Sequence, residues 1–482
     1  AIAALVVALV APNAPAQGLP DLGDVSAASL SESQERTIGN RIMREVRVDP
    51  AYLDDPEITD YVTSVGQKLL SVAENPPHDI TFFMVQDDTI NAFALVGGHV
   101  GVHTGLLTLT QNESELAGVM AHELAHVLQK HQARMIHGAS RAQWTSLAAL
   151  ALAILASRSG GSGQATEAAL VGASALQMQQ QIDYTREHER EADRVGLTLL
   201  DRAGFDPRGM ETFFERMLRA NRLNELKGMP AYLRTHPLTT ERIAEMQDRV
   251  ERYPPRMVPD SFDYRVARAK LRAANGSPME AVNLFRTMLE DQTVLRPREE
   301  IYGLAFAQRR AHDFEGAWKT LQPIRGASTH PAFELLAGEL QSDMHRSDEA
   351  IATYRAALKQ APAYRALAYA YLDEMLHSGH VKEALADLED RIRVHPDDWR
   401  LYELKARACE ATGRPVGQHR AQAEAYYRRG NLSAAVDQLE IAEKQPKGSD
   451  FYEMSMTESR LRELRVQLEN ERAAEKALKI SS

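Results

Sequence analysis

The chain has 482 residues, of which 44% are hydrophobic and 26% charged, and its formal net charge is −11. This length predicts two or three domains, and the composition is ordinary for a soluble globular protein. The negative charge argues against nucleic acid as a partner, because phosphate binding needs a basic face. Cys409 is the single cysteine, so no disulfide can form within the chain. This low cysteine content by itself favours a cytosolic location.

The N-terminal sequence favours export instead. Ala1–Ala11 is an apolar stretch with the length of a signal-peptide hydrophobic region, and Ala14-Pro15-Ala16 has the small-x-small pattern of a cleavage site. We therefore expect residues 1–16 to be the remnant of a signal peptide, with Gln17 first in the mature chain. The alternative is a buried or membrane-anchoring helix, although the stretch is too short to span a bilayer comfortably.

The next segment predicts a mixed domain over residues 17–255. Ser31 is a candidate N-cap of the first helix, with Gln34 as its capping-box partner, and a second helix is predicted over Pro56–Val72. Aromatic and β-branched residues then favour short strands. The predicted strands cover residues 79–86, 90–95 and 100–102.

A capped helix is predicted over Asn112–His131, with Asn112 as its N-cap and Glu115 as the capping-box partner. Ser146–Ala156 is an apolar stretch that is too short for a transmembrane helix. It fits a buried hairpin helix, or a surface that contacts a membrane or a client protein. A long helix over about residues 166–203 follows.

Residues 256–482 change to short helical pairs. Alanines recur early in the second helix of each pair, 33 to 36 residues apart, and prolines mark the ends of the units. A period near 34 predicts tetratricopeptide repeats, in which the alanine allows a close helix crossing and the proline stops the second helix. Ala435 breaks the spacing, so the last unit is irregular or carries an insertion around residues 413–418. The recurring residues are Ala281, Ala317, Ala350 and Ala384, with Pro297, Pro331, Pro362 and Pro396.

The sequence His122-Glu123-Leu124-Ala125-His126 lies in the middle of the capped helix. Positions i and i+4 share one face of a helix, so both imidazoles can reach one Zn²⁺ at about 2.0–2.1 Å. Glu123 can then act as the base that takes a proton from the attacking water. The alternative is a solvated helical face with two unrelated histidines, which the cap and the apolar flanks disfavour.

A third protein ligand is expected from the segment Tyr184–Asp193. Glu189 and Asp193 are four residues apart and share a helical face, whereas Glu191 points roughly the opposite way. Glu189 can bind the metal while Asp193 hydrogen-bonds a ligating histidine and fixes its tautomer. The alternative is an exposed helix surface rich in salt bridges, which this density of charges usually indicates.

The pair HELAH and EREAD resembles the gluzincin peptidases of the HtpX and CAAX-protease group. The stretches Ile90–Gly98, Val102–Leu106 and Thr235–Ile243 resemble further motifs of that group. The resemblance implies an α+β fold: a mostly helical zinc peptidase domain with a small sheet, followed here by an all-α repeat domain. It implies a zinc-dependent endopeptidase with one Zn²⁺ per chain.

The site residues follow from the same resemblance. His122, His126 and Glu189 match the zinc ligands, and Glu123 and Asp193 match the catalytic base and the second carboxylate. The resemblance assigns two further positions. His236 matches a histidine that can approach the zinc and hold the site in a resting state, and Arg242 is expected to anchor that loop.

A peptidase domain with a leader and repeats is similar to periplasmic proteases that assist β-barrel assembly. This similarity implies a periplasmic location and, as clients, unfolded or stalled outer-membrane β-barrel proteins. The repeats could bind the barrel-assembly machinery. We expect no nucleic acid and at most peripheral membrane contact.

Other histidines have simpler interpretations. The strand near Gly98–His103 could bind an extended substrate along its edge, beside the zinc. His99 and His103 are then expected to be polar residues of an exposed strand rather than ligands. His131 and His188 are expected at the surface.

Three functions stay open from the sequence. The first is a quality-control protease of the cell envelope, and the second is a mostly latent chaperone or scaffold with His236 on the metal. The third is a binding module with a structural zinc, which the presence of Glu123 disfavours because a structural site has no use for a base.

Overall fold

The computed structural model of the chain describes residues 32–74, 76–77, 79–132, 175–222, 230–290, 297–326, 330–445 and 451–480. The strands are β1 (Thr81–Val85), β2 (Ala92–Leu95) and β3 (His99–His103). The helices before residue 255 are α1 (Glu32–Val48), α2 (Pro56–Leu70), α3 (Thr104–Leu109), α4 (Glu113–Leu128), α5 (Ala175–Arg202), α6 (Arg208–Arg222), α7 (Ala231–Thr235) and α8 (Thr240–Val250). Those after it are α9 (Phe262–Ala274), α10 (Pro278–Glu290), α11 (Pro297–Arg310), α12 (Phe314–Leu321), α13 (Pro331–Asp343), α14 (Ser347–Gln360), α15 (Arg365–His377), α16 (Val381–Val394), α17 (Trp399–Ala411), α18 (Pro415–Arg428), α19 (Leu432–Glu443) and α20 (Phe451–Ile480).

This arrangement confirms the predicted α+β class, in which a small sheet among helices precedes an all-helical region. The predicted signal-peptide remnant, the Ser31 cap and the apolar stretch 146–156 lie outside the described residues. Among the described helices, none is both long and apolar enough to cross a membrane. Helix α3 was not predicted, and α4 ends three residues before the predicted end at His131.

The sheet has the order β1-β3-β2, with β3 parallel to β1 and antiparallel to β2. At the start of β3, His99 is paired with Thr81 on one side and with Leu95 on the other. The prediction that this strand offers its edge to a substrate is therefore wrong, because both of its edges are already paired. Of the three strands, β2 has the most extensive contact with helix α4.

Helices cover both faces of the sheet, because successive strand residues point to opposite sides. One face packs on α1, and the other packs on α2 and α4. At Gly39 in α1, an added Cβ would come within 2.5 Å of the Val96 carbonyl oxygen, so α1 can approach the β2–β3 turn this closely only without a side chain. The α1 face buries Phe83, Val85, Phe93 and Leu95, and the opposite face buries Phe82, Met84, Ala92, Val100 and Val102.

Polar caps fix the starts of the two helices that frame the sheet. The Asp55 carboxylate accepts hydrogen bonds from the first turn of α2, where Pro56 occupies the first position. The Asn112 side chain accepts the N–H of Glu115, as predicted for α4. The reciprocal half of the predicted capping box is different, because the Glu115 carboxylate accepts the N–H of Gln111 and pairs with Arg216 instead.

In the helical region, the recurring alanines are all the fourth residue of a helix. Ala281, Ala317, Ala350 and Ala384 are each at most 3% exposed, as close helix crossings require. The segment 413–418, around which the last unit was expected to be irregular or to carry an insertion, is the turn before α18 and its first residues. The prolines act in two ways: Pro297 and Pro331 are the first residues of α11 and α13, whereas Pro362 and Pro396 follow the ends of α14 and α16.

Helix α9 connects the two parts of the chain. Tyr264 and Leu271 belong to the core that contains the sheet and α4, whereas Val266 and Ala273 belong to the core of the helices that follow. Lys270 on the same helix lies 2.7 Å from Asp55 and also pairs with Glu57, at the start of α2. Buried apolar and ionic contacts therefore hold the helical region against the N-terminal part.

Candidate metal centre

Helix α4 places two histidines and a glutamate inside the protein. His122, Glu123 and His126 are 0%, 1% and 8% exposed, in a helix that is buried over nearly its whole length. The Nε2 atoms of His122 and His126 are 3.1 Å apart, as expected for positions i and i+4 on one face. The two imidazoles therefore point into the same small space.

Helix α5 adds a carboxylate to this space. The Oε2 atom of Glu189 lies 3.3 Å from His122 Nε2, and its Oε1 atom lies 3.4 Å from His126 Nε2. Gly196, two turns further along α5, allows the close approach of the helices, since an added Cβ there would come 3.2 Å from the His122 backbone nitrogen and 2.8 Å from the Met210 side chain. The helix crossing thus positions Glu189.

A fourth donor comes from the C-cap of the short helix α7. The Nδ1 atom of His236 lies 2.9 Å from Glu189 Oε1 and 3.4 Å from His122 Nε2. One donor atom from each of His122, His126, Glu189 and His236 lies within 4.8 Å of the other three, and all four residues are buried. Imidazole nitrogens with a carboxylate oxygen at this spacing fit a divalent metal ion.

Glu123 lies beside this cluster with both oxygens buried and without a hydrogen-bond partner among the described residues. Its Oε1 atom is 3.5 Å from His236 Nε2. Burial raises the pKa of Glu123, although the charges of His236 and His122 oppose the shift. A buried carboxylate that accepts no hydrogen bond is costly, so its presence here fits a group that handles a proton near the metal.

Asp193 and Arg242 support the ligands from behind. Asp193 Oδ1 lies 3.0 Å from His122 Nδ1, and Arg242 donates two hydrogen bonds of 2.8 Å to the Asp193 carboxylate. Arg242 NH1 lies 2.9 Å from Glu189 Oε2 and donates to the Pro237 carbonyl at 2.7 Å. Burial raises the pKa of Asp193, but Arg242 and His122 lower it more, so the carboxylate is held ionised.

The same contacts set the charge of the donors. Burial raises the pKa of Glu189, yet His236 and His122 bring it well below its usual value, so this carboxylate is ionised. Burial and the neighbouring His122 lower the pKa of His126 and keep it neutral. Burial also lowers the pKa of His122, but Asp193 and Glu189 outweigh it and raise this pKa to about 10.

Comparison with known proteins identifies the family. The family model for Peptidase family M48 matches residues 56–250, a range that contains all four donors. The chain is 35% identical over 456 residues to the Beta-barrel assembly-enhancing protease of Escherichia coli (strain K12), which covers 92% of this chain and 91% of that protein. The chain belongs to peptidase family M48. It is therefore a metal-dependent peptidase, in agreement with the donor cluster.

Other M48 relatives match to different extents. The Beta-barrel assembly-enhancing protease of Yersinia pestis is 30% identical over 459 residues, which covers 94% of this chain and 92% of that protein. Metalloprotease LoiP of Escherichia coli (strain K12) is 25% identical over 229 residues, which covers 46% of this chain and 83% of that protein. The first similarity includes the helical region, whereas the second covers less than half of the chain.

Four histidine predictions outside the M48 motif were wrong about exposure. His99 and His103 are 5% and 1% exposed, since β3 is the central strand. Their ring nitrogens contact threonine hydroxyls, and neither belongs to the four-donor cluster. His131 and His188 are 0% and 4% exposed and stack on each other beside the metal centre, with ring centroids 4.2 Å apart.

Tyr232 is a residue at the M48 centre that the sequence analysis did not predict. Its ring stacks on His236 with centroids 4.7 Å apart, and its backbone N–H donates to the Ile90 carbonyl at 3.2 Å. It lies four residues before His236, one helical turn away on α7, which is the only sequence signal that could have identified it. Tyr232 therefore connects the α7 loop to the segment just before β2 and to the fourth donor.

Proposed function

We propose that the chain is a zinc endopeptidase in which His122, His126 and Glu189 bind the ion and Glu123 is the catalytic base. The observation that carries the proposal is the convergence of these three donors from two helices, next to a buried carboxylate that accepts no hydrogen bond among the described residues. Two imidazoles and one carboxylate are the ligand set of catalytic zinc sites, which leave one position open for water or substrate. The ligand types favour zinc over magnesium or calcium.

The proposed chemistry assigns a step to each side chain. A bound zinc ion would supply Lewis-acid activation of water and of the scissile carbonyl. Glu123 takes the proton of the attacking water on a carboxylate oxygen and later delivers it to the leaving amine nitrogen. Its raised pKa suits a group that must both accept and release this proton. Asp193 keeps a proton on Nδ1 of His122, so that the Nε2 lone pair is free for the metal.

We further propose that the described state is the resting one, with His236 as a fourth ligand. A fourth protein ligand takes the place that the attacking water needs, so cleavage requires His236 to move away. Three contacts support a closed loop: Tyr232 stacks on His236, its N–H binds the Ile90 carbonyl, and Arg242 binds the Pro237 carbonyl. This arrangement also favours the latent chaperone or scaffold as a second candidate function.

The outer edge of β2 is the proposed binding site for an extended substrate. The His103 N–H donates to Asn91, so alternate residues Asn91, Phe93 and Leu95 face β3, whereas Ala92 and Ala94 face outward. The Gln132 side-chain amide donates to the Ala94 carbonyl at this edge. A peptide strand that paired here would replace that bond and lie along α4, close to the metal.

The cellular role is proposed from the relatives and from the C-terminal helices. We propose a signal peptide over residues 1–16, a peptidase domain over 17–255 and tetratricopeptide repeats over 256–482. Relatives that match more than nine-tenths of the chain are named β-barrel assembly-enhancing proteases, and buried alanines at a period near 34 support the repeats. The proposed location is the periplasm, and the proposed clients are unfolded or stalled outer-membrane β-barrel proteins. The repeats would bind these clients or the assembly machinery.

Cleavage of an unfolded outer-membrane β-barrel protein by three forms of the full chain tests this function. A protease predicts chelator-sensitive cleavage by the wild type, none by Glu123→Gln, and faster cleavage by His236→Ala. A latent scaffold predicts cleavage only by His236→Ala, with the client still bound by the wild type. Cleavage that survives Glu123→Gln would contradict the assigned chemistry in both cases.

A further inference from the structure

Beside the four donors lies a second group of polar residues to which the proposed chemistry assigns no part: His131 and His188 are buried, and Glu191 is half-buried. His131 Nδ1 is 2.9 Å from His126 Nδ1, and His131 Nε2 is 3.1 Å from Glu191 Oε2. The His131 ring is fully buried, and it stacks on His188 with an interplanar angle of 8°. These contacts form a continuous chain from His126 to a carboxylate on α5.

The positions of the protons in this chain follow from the geometry. His126 turns Nε2 toward the donor cluster, so as a neutral ligand it carries its proton on Nδ1. That proton can be donated only to an acceptor, so Nδ1 of His131 must be unprotonated and Nε2 of His131 must carry the hydrogen. The Glu191 carboxylate accepts that second hydrogen, so the two contacts are consistent with one direction of donation, from His126 to His131 and from His131 to Glu191.

We propose that His131 and Glu191 are positioning residues that orient His126 and fix its tautomer as a metal ligand. This inference rests on the proposed function, because it concerns a ligand of the same metal. In this proposal, His131 and Glu191 do for His126 what Asp193 does directly for His122. A hydrogen-bonded partner on the second nitrogen raises the basicity of a ligating imidazole and holds its ring in place.

The local backbone explains how His131 reaches this position. Helix α4 ends at Leu128, and Lys130 adopts a left-handed conformation with φ of 50°. This conformation turns the chain back, so that His131 lies beneath His126 instead of continuing along the helix. On α5, Glu191 is two residues from Glu189, about 200° around the helix, so one helix can serve the metal and His131 separately.

Zinc affinity of the full chain, measured by competition with a chromophoric chelator, tests the proposal. His131→Phe keeps the stacked ring but removes the acceptor, and we expect it to weaken zinc binding about 10- to 100-fold. Glu191→Gln keeps an oxygen that can accept the hydrogen bond from His131. It should therefore lose less zinc affinity than Glu191→Ala. Glu187→Gln is the matched control, because Glu187 is exposed on the same helix and should leave the affinity unchanged.

Two further readouts separate positioning from a structural effect. The double variant His131→Phe/Glu191→Ala should bind zinc within about twofold of His131→Phe alone, because Glu191 acts through His131. The visible absorption spectrum of the Co²⁺-substituted chain should change in His131→Phe and stay unchanged in Glu187→Gln.

The proposal is overturned if His131→Phe binds zinc as tightly as the wild type, or if the losses of His131→Phe and Glu191→Ala simply add. It is equally overturned if weaker binding comes with an unchanged Co²⁺ spectrum and a matching loss of metal-free stability. A wild-type chain that takes up no zinc would instead contradict the proposed function itself.

Discussion

Arg242→Ala removes the cation that connects two buried carboxylates at the metal centre. Its guanidinium is 3% exposed, donates twice to Asp193 at 2.8 Å and lies 2.9 Å from Glu189. Without it, Asp193 loses its closest cation and Glu189 loses one of its cationic neighbours, while His122 remains beside both. Removing one partner of a buried ion pair costs about 3–5 kcal/mol, so we expect the free energy of unfolding of the metal-free chain to fall by about that much.

Arg190 provides a matched control, because it connects the same two helices at the surface. Its side chain is 44% exposed and lies 3.2 Å from Glu241 and 3.4 Å from Glu245. Exposed ion pairs of this kind contribute about 0.2–1 kcal/mol. Arg190→Ala should therefore lower the free energy of unfolding by less than about 1 kcal/mol.

Urea denaturation followed by circular dichroism, with chelator present, measures both losses. Despite its burial, Asp193 has a pKa below its usual range because of Arg242 and His122. The stabilisation is thus present above the unfolded pKa of about 3.9 and lost as the pH falls through the lower folded pKa, so the measurement belongs near pH 7.5. Equal losses for Arg242→Ala and Arg190→Ala would refute the reasoning.

Two further predictions concern the sheet. Burial lowers the pKa of His99 to about 4, so the unfolded chain binds more protons below about pH 6.5. This histidine alone should lower the free energy of unfolding by up to about 3 kcal/mol between pH 6.5 and 4, in addition to the effect of His103, whose pKa is lowered in the same way. His99→Gln should flatten that fall in urea titrations at several pH values, and an unchanged slope would contradict the assignment. Gln132→Ala frees the Ala94 carbonyl at the β2 edge. The KM for an unfolded client should therefore fall about fivefold at constant kcat. A higher KM would contradict the pairing of substrate with this edge.

The metal-binding motif could be predicted from the sequence because its geometry is local. His122 and His126 are one helical turn apart, and Glu189 and Asp193 repeat the same spacing on α5. Any continuous helix places such residues on one face, whatever the rest of the fold does. The pair of motifs predicts that Glu189 reaches His122. The physical basis of this contact is the packing around Gly196, which allows α4 and α5 to cross closely.

The errors arose where long-range pairing or a single backbone angle decides the outcome. On a helix extended to residue 131, His131 would lie about 140° away from His126. The left-handed Lys130 places it beneath His126 instead, and nothing in the local pattern indicates that turn. Similarly, the burial of His99 depends on β3 lying between β1 and β2, and hydrophobic alternation does not determine the order of strands.

The metal centre itself is tested most directly by locating the ion. A crystal of the zinc-loaded chain, measured on both sides of the zinc absorption edge, should give one anomalous peak per chain, with His122, His126 and Glu189 each about 2.0–2.2 Å from it. A zinc-loaded chain whose peak lies elsewhere, or whose Glu189 carboxylate is turned away from the ion, would contradict the proposed enzyme.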